Sequence, residues 1–203
     1  MSTRIILIRH GETDWNKERR YLSSTDIDIN DTGKEQILSA VEHIVNEKVT
    51  KVYASDRKRA LTSVGLLFNN IILEKTKDLR EMDFGVFEGL RHEEIKEKFS
   101  DIYEAWIEDP RKTIIPGGEA FGVFESRVMN KLKAITRNDL GCTVAIVTHG
   151  GVIRLILSNI LEAEKFWDIK MVRPASVTII EADKELLFTV KKYEPEGDIW
   201  PRK

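Results

Sequence analysis

Arg9-His10-Gly11, continued by Glu12-Thr13, stands at the C-terminal end of the apolar run Ile5-Ile6-Leu7-Ile8. A β-branched run halted by a glycine reads as a buried strand that delivers its last side chains to a loop, where open α/β sheets bind ligands. A guanidinium and an imidazole placed there point to anion chemistry. Val144-Ala145-Ile146-Val147 repeats the pattern and runs into Thr148-His149-Gly150-Gly151. Taken alone, a histidine near a strand end is more often a structural hydrogen-bonder. On neighbouring parallel strands, however, His10 and His149 would converge on one crevice.

A phosphate monoester near neutral pH is a dianion whose charged oxygens need several fixed donors. Arginine suits that task, because its planar fork makes paired hydrogen bonds to phosphate and keeps its charge. Arg9 is one candidate. A second is expected in Ser55-Asp56-Arg57-Lys58-Arg59, read as a helix start directly after a strand. By itself that run reads more plainly as a solvated basic turn, yet cations in a first turn oppose the helix dipole and suggest a compensating anion. Flanking arginines disfavour imidazolium, so a neutral His10 could attack phosphorus and split one difficult displacement into two easier ones. The leaving alkoxide needs a proton. Glu81, in a loop beside Met82, Phe84 and Phe87, could hold one if apolar neighbours raise its pKa.

The elements that must position these residues alternate strand and helix. After the strand at 5–8, Thr32-Gly33-Lys34-Glu35 has capping-box spacing, and Ile37, Val41, Ile44 and Val45 share one helical face. Lys51 to Ala54 is a strand, followed by a helix from Ser55-Asp56 that buries Leu61, Val64, Leu67 and Phe68. Ile71-Ile72-Leu73 is a third strand candidate, and Arg80 to Leu90 is a loop punctuated by Gly85 and Gly89. Glu93 to Phe99 and Asp101 to Ile107 read as two short helices of a cap spanning roughly 92–116, closed by Pro116-Gly117-Gly118. Phe121, Phe124, Val128, Leu132 and Ile135 mark a long amphipathic helix ending near Gly141, and Val152 to Leu161 a further apolar one. Ala175 to Glu181 and Leu186 to Lys192 form a hairpin around Asp183-Lys184, and 194–203 is a loose tail. The expectation is one domain over 1–203, a three-layer α/β/α sandwich with a mostly parallel central sheet.

Composition narrows the partners. The 203 residues carry a formal net charge of −2, with 41% hydrophobic and 33% charged residues. That balance gives no general pull toward nucleic acid or an anionic membrane, so anion recognition must be local and the partner small. No apolar run approaches the roughly 18 residues of a membrane span. The single cysteine, Cys142, makes no internal disulfide, which fits a cytoplasmic location, and it reads as core filler. His43 and His92 are expected on the surface. Asp26-Ile27-Asp28-Ile29-Asn30 begins like a calcium loop, but Asp31 stands where the turn glycine belongs and Ile37 where the closing glutamate belongs. Zinc, Walker A and dinucleotide motifs are absent, so neither metal nor organic cofactor is expected.

Five blocks in order extend the argument: Arg9-His10-Gly11-Glu12-Thr13 with Trp15-Asn16; Ser55-Asp56 through Arg59-Ala60; Leu79-Arg80-Glu81 through Phe84-Gly85 and Glu88-Gly89; Pro116-Gly117-Gly118-Glu119; and Thr148-His149-Gly150. Together they resemble the histidine phosphatase superfamily, the phosphoglycerate mutase-like proteins, over nearly the whole chain. The resemblance implies a phosphatase that acts on a small phosphate monoester. It implies His10 as the phosphorylated nucleophile, Glu81 as proton donor, and Arg9, Arg59 and His149 as the phosphate pocket, with Asn16 and Gly150 assisting. Arg57 stands where the family commonly has leucine and would face the pocket mouth.

Departures bear on the branch. Phe84 and His92 stand where glycolytic mutases carry Tyr and Lys, and the cap is shorter than theirs. Both differences favour hydrolysis over phosphoglycerate mutase activity. The short cap most resembles α-ribazole phosphatase, while Ser23, Asp28 and Ala120 replace a family glycine, proline and serine and leave phosphoserine, sugar phosphates or a broad range open as substrates. Either a monomer or a homodimer fits the sequence, and a catalytically silent phospho-ligand binder is the least favoured reading.

Overall fold

The computed structural model describes residues 1–194, so the tail expected over 194–203 falls outside the described residues except for Glu194. Six strands form one sheet: β1 (Thr3–Arg9), β2 (Val49–Ser55), β3 (Ile72–Thr76), β4 (Thr143–Thr148), β5 (Val177–Ala182) and β6 (Phe188–Lys192). Their order is β3-β2-β4-β1-β5-β6. β3, β2, β4 and β1 run parallel, while β5 is antiparallel to both β1 and β6. The mostly parallel sheet is as expected, and the β5–β6 hairpin supplies its one reversed strand.

Side chains alternate across a strand, and that alternation separates the two cores. Ile6, Ile8, Ala145, Val147 and Ile179 face α2 (Asp31–Ala40) and α3 (Lys58–Leu67). Ile5, Leu7, Val144, Ile146 and Ile180 face the other way, into the core built with α6 (Phe121–Asn138) and α7 (Gly150–Ile160). A strand buried on both faces must be apolar throughout, which is why β1 and β4 were visible in the sequence.

Several boundaries differ from the expectation, and those of α2 and α3 bear on the site. The N-cap of α2 is Asn30, whose side chain accepts from Gly33 N at 2.8 Å, not Thr32. The reason lies in the loop after β1. A β-carbon on Gly33 would sit 2.2 Å from Glu12 O, so this bare turn presses directly on that backbone, and Asn30 Nδ2 donates to Glu12 Oε1 at 3.1 Å. α2 then stops at Ala40 and tightens into a 3₁₀ turn over Val41–His43, which turns Val45 outward to 66% exposure while Ile37 and Ile44 stay buried. α3 begins at Lys58 with Arg57 at its N-cap, because Ser55 still belongs to β2.

The cap comprises α4 (His92–Lys98) and α5 (Ser100–Glu108), preceded by α1 (Asp14–Lys17) near the chain start. Tyr103 and Trp106 of α5 are buried. His43 is exposed as expected, but His92 is half-buried and its Nδ1 contacts Tyr103 Oη. The chain returns from the cap through Pro116-Gly117-Gly118, which lies against Gly85. That glycine has φ +47°, and a β-carbon there would meet Pro116 O at 2.2 Å. Only a glycine fits both the left-handed conformation and the close approach. Among the described residues, no helix is long and apolar enough to cross a membrane.

Candidate active site

The parallel pairing of β1 with β4 puts Arg9 opposite Thr148, and His10 N extends the ladder by donating to Thr148 O at 3.0 Å. The next residue on each strand is therefore a histidine beside a histidine. The His10 and His149 rings meet edge to face, centroids 5.1 Å apart. Both are buried, at 3% and 1% exposure.

Their hydrogen bonds fix their tautomers. His10 Nδ1 lies 2.7 Å from Gly11 O, and a carbonyl can only accept, so Nδ1 carries the hydrogen. The lone pair is then on Nε2. Arg59 Nε donates to His149 Nδ1 at 3.3 Å, so the hydrogen of a neutral His149 sits on Nε2, 2.8 Å from Ser55 Oγ. Burial, then Arg59 and Arg9, hold His10 well below the ordinary imidazole range; burial, then Arg59 and His10, do the same for His149. Both rings are neutral at pH 7.

Arg59 is fully buried at the start of α3, and burial lowers its pKa to about 10. Its Nη1 and Nη2 donate to Thr25 O and Ser23 O at 3.0 Å each, which leaves one hydrogen on each nitrogen for a further acceptor. Those carbonyls belong to a loop tied down by Glu88, whose carboxylate accepts from Ser23 N and Thr25 N. Arg9 Nη1 donates to Val172 O at 2.6 Å. Asn16 is the far half of a capping box with Thr13 at the start of α1.

Glu81 lines the same cleft as His10. Its carboxylate accepts from Met82 N at 3.0 Å and from Gly151 N, in the first turn of α7, at 2.9 Å. Burial raises its pKa, with those two N–H groups pulling the other way. A half-buried carboxyl raised in this way can hold a proton and release it to a nearby oxygen. A β-carbon on residue 151 would collide with Glu81 Oε1 at 2.2 Å, so the second glycine of His149-Gly150-Gly151 keeps that carboxyl in place.

Arg9, His10, Asn16, Glu81 and Gly150 all line one cleft, whose empty space is about 690 Å³ including its open mouth. Arg59 and His149, expected in the same pocket, are bonded to each other and buried next to His10, and neither is part of that cleft's lining. Arg57 faces a shallower hollow beside Ser23, Arg80 and Glu81, which fits a position at the mouth. Ser23 is buried without a positive φ, so its side chain is accommodated where glycine was expected. Asp28 accepts from Thr62 Oγ1 on α3 at 3.0 Å. Among the described residues, no group of three or more His, Cys, Asp or Glu side chains is placed to hold a metal ion.

Two arginines escaped the sequence reading. Arg127 on α6 donates to Asp78 O, Arg80 O and Glu81 O and pairs with both oxygens of Glu119. It clamps the strand of chain that carries Glu81, and nothing local in the sequence signals a bond made to carbonyls. Arg154 on α7 is 3% exposed at the inner wall of the cleft. Its Nε and Nη1 are buried without a hydrogen-bond partner among the described residues. The guanidinium stacks over Trp167 at 5.1 Å and Phe166 at 5.5 Å. Such stacking offsets on the order of 2 kcal/mol, less than the several kcal/mol that removing a cation from water costs. A lone arginine within Val152-Ile153-Arg154-Leu155-Ile156-Leu157 was the available signal.

Comparison with known proteins gives the family. The sequence profile of the Histidine phosphatase superfamily (branch 1) matches residues 5–194. The chain is similar to a metal-independent phosphoserine phosphatase of Arabidopsis thaliana, 34% identical over 79% of this chain and 70% of that one. Among solved structures, it resembles YhfR of Bacillus stearothermophilus with a TM-score of 0.89 at 27% identity, covering 96% of this chain and 98% of the other. It also resembles an alpha-ribazole phosphatase from Shigella flexneri, with a TM-score of 0.82 at 25% identity over 93% and 94% of the two chains.

Proposed function

The chain belongs to the histidine phosphatase superfamily, branch 1, and is a phosphatase; from that premise we propose that it hydrolyses a small phosphorylated metabolite, without a metal, through a phosphohistidine on His10. The observation that carries this reading is the bond from His10 Nδ1 to Gly11 O, which leaves the Nε2 lone pair free in a ring kept neutral by burial and two arginines.

In the first step Nε2 attacks phosphorus, the N–P bond forms and the P–O bond to the alcohol breaks. Protonated Glu81 gives its proton to the departing oxygen. Arg9, the spare hydrogens of Arg59 and the backbone N–H at Gly150 meet the equatorial oxygens. In the second step water attacks phosphorus, Glu81 takes the water's proton and the N–P bond breaks, which returns neutral His10 and releases phosphate. Asn16 assists by fixing the turn after Thr13 at the rim.

Rapid-quench labelling tests the reading. An acid-labile, base-stable phosphoryl group should accumulate on His10, and normal turnover by His10→Ala would refute it. Full loss of activity in chelator would overturn the metal-free part. Isomerisation of 3-phosphoglycerate faster than release of phosphate would make the protein a mutase instead. Phosphoserine, named for the relative at 34% identity, and α-ribazole 5'-phosphate, named for the structure at 25%, head the substrate panel.

A further inference from the structure

We propose that Met171 is an oxidation site through which a peroxide switches the enzyme off, the sulfoxide oxygen taking the hydrogen-bond donors that would otherwise meet the phosphoryl group. The proposal rests on the phosphatase reading above and adds a means of control to the same site.

Met171 is half-buried and lines the cleft together with Arg9, His10 and Gly150. Its sulfur lies against the start of α7: a β-carbon on Gly150 would come 2.6 Å from Met171 Sδ and 3.3 Å from both Cζ and Nε of Arg9. Sulfur and guanidinium thus meet across one bare Cα. The chain that follows the sulfur is the segment that holds the end of β1. Arg9 Nη1 donates to Val172 O at 2.6 Å, Ala175 N donates to Arg9 O and His10 O at 3.1 and 3.2 Å, and Arg9 N donates to Ser176 O at 3.3 Å. That turn is drawn tight, with Ala175 in the left-handed region at φ +59°. A change at Met171 is therefore felt by Arg9 both directly and through its backbone.

A thioether packs as a hydrocarbon and accepts hydrogen bonds only weakly. Two-electron oxidation changes that character. The sulfur lone pair attacks one oxygen of hydrogen peroxide, the S–O bond forms, the O–O bond breaks and the second oxygen leaves as water with both protons, so sulfur is oxidised and peroxide reduced. The product carries a polar, strongly accepting oxygen. At Met171 that oxygen faces the Arg9 guanidinium and the N–H at the head of α7, the same donors that serve a phosphoryl oxygen. It also adds volume where a β-carbon already finds no room. The three other methionines lack this combination: Met1 stands beside Gly141, at the far end of β1, Met129 packs on α6 against the core, and Met82 borders the cleft but is 2% exposed. A thiol-dependent methionine sulfoxide reductase would reverse the step.

Hydrogen peroxide is the probe, and hydrolysis of p-nitrophenyl phosphate is the readout. Wild-type protein carrying one added oxygen on the Met171 peptide, located by mass spectrometry, should lose roughly 10- to 100-fold in kcat/KM while its urea midpoint stays in place. Saturating inorganic phosphate should slow the loss, and methionine sulfoxide reductase should restore activity where dithiothreitol alone does not. Met171→Leu conserves volume and should stay active and resist the same treatment. Met171→Gln puts a permanent polar acceptor at the site and should be impaired without any oxidant. Equal inactivation of Met171→Leu, full activity in wild type oxidised at Met171, a loss that tracks a falling urea midpoint, or recovery in dithiothreitol alone, which would point to Cys142, would overturn the assignment. Failure of the phosphatase reading would show differently, as untreated protein that turns over no phosphate monoester at all.

Discussion

Replacing Arg127 by methionine should damage the protein in a way that depends on the leaving group. The side chain is 18% exposed and its partner Glu119 14%, so water replaces the lost bonds only in part. It makes a bidentate pair with Glu119 at 2.7 and 2.8 Å and three bonds to carbonyls at 2.8, 2.8 and 3.0 Å. Orphaning a carboxylate and part-buried carbonyls, discounted for the remaining exposure, costs on the order of 3 kcal/mol. Urea denaturation would read that directly. The kinetic consequence follows from which carbonyls are held. Asp78, Arg80 and Glu81 are the backbone under the proposed proton donor, and a shift of about 1 Å there can cost up to ~100-fold. An alkyl phosphate needs its leaving oxygen protonated, whereas p-nitrophenolate hardly does. Arg127→Met should therefore lose roughly tenfold or more in kcat on an alkyl phosphate relative to p-nitrophenyl phosphate. Equal loss on both substrates would refute the idea that Arg127 acts through Glu81 and leave it a purely structural clamp.

The pH dependence of kcat/KM should be bell-shaped, with an acid limb below the ordinary imidazole value of 6.5 because His10 is shifted down, and an alkaline limb above 4.5 because Glu81 is shifted up; an acid limb at or above 6.5 would contradict a buried neutral His10. Stability should fall as pH drops below 6.5, since the unfolded chain then protonates His10 and His149 while the folded one resists; Glu81 acts in the opposite sense above 4.5, one group against two, and a flat urea-midpoint profile between about pH 7 and 5 would count against the shifts. Gly33→Ala should destabilise the fold and suppress activity, because its β-carbon would strike Glu12 O. Gly65→Ala, near the C-terminal end of α3 with open space around it, should instead stabilise by about 0.5 kcal/mol in thermal melts. Ala120→Ser should add about 1 kcal/mol, because residue 120 is the N-cap of α6 and lacks a side-chain cap bond.

Much of the site was legible because its signals are local. β1 and β4 are buried on both faces, so their apolar runs and terminal glycines stand out, and parallel neighbours must end at the same edge; that these two strands are neighbours, which sets His10 beside His149, came from the fold. The helices of the cap and α6 were readable for the same reason, their apolar faces repeating at helical spacing. What sequence could not supply was the other half of each hydrogen bond. The spacing pointed to Thr32 as a cap, whereas Asn30 is the cap and bridges to Glu12, and nothing in the sequence showed that Ser23 O, Thr25 O and His149 hold Arg59 while one hydrogen stays on each of its Nη nitrogens. Arg127 acts on carbonyls, which every residue has, and Arg154 is held against the faces of Phe166 and Trp167 while its Nε and Nη1 have no hydrogen-bond partner among the described residues. Residue types and strand ends decided that this chain gathers cations and imidazoles at one sheet edge. Only tertiary structure decided which nitrogen is bare and which arginines are already bound, because burial and partnership are properties of contacts between segments far apart in the chain.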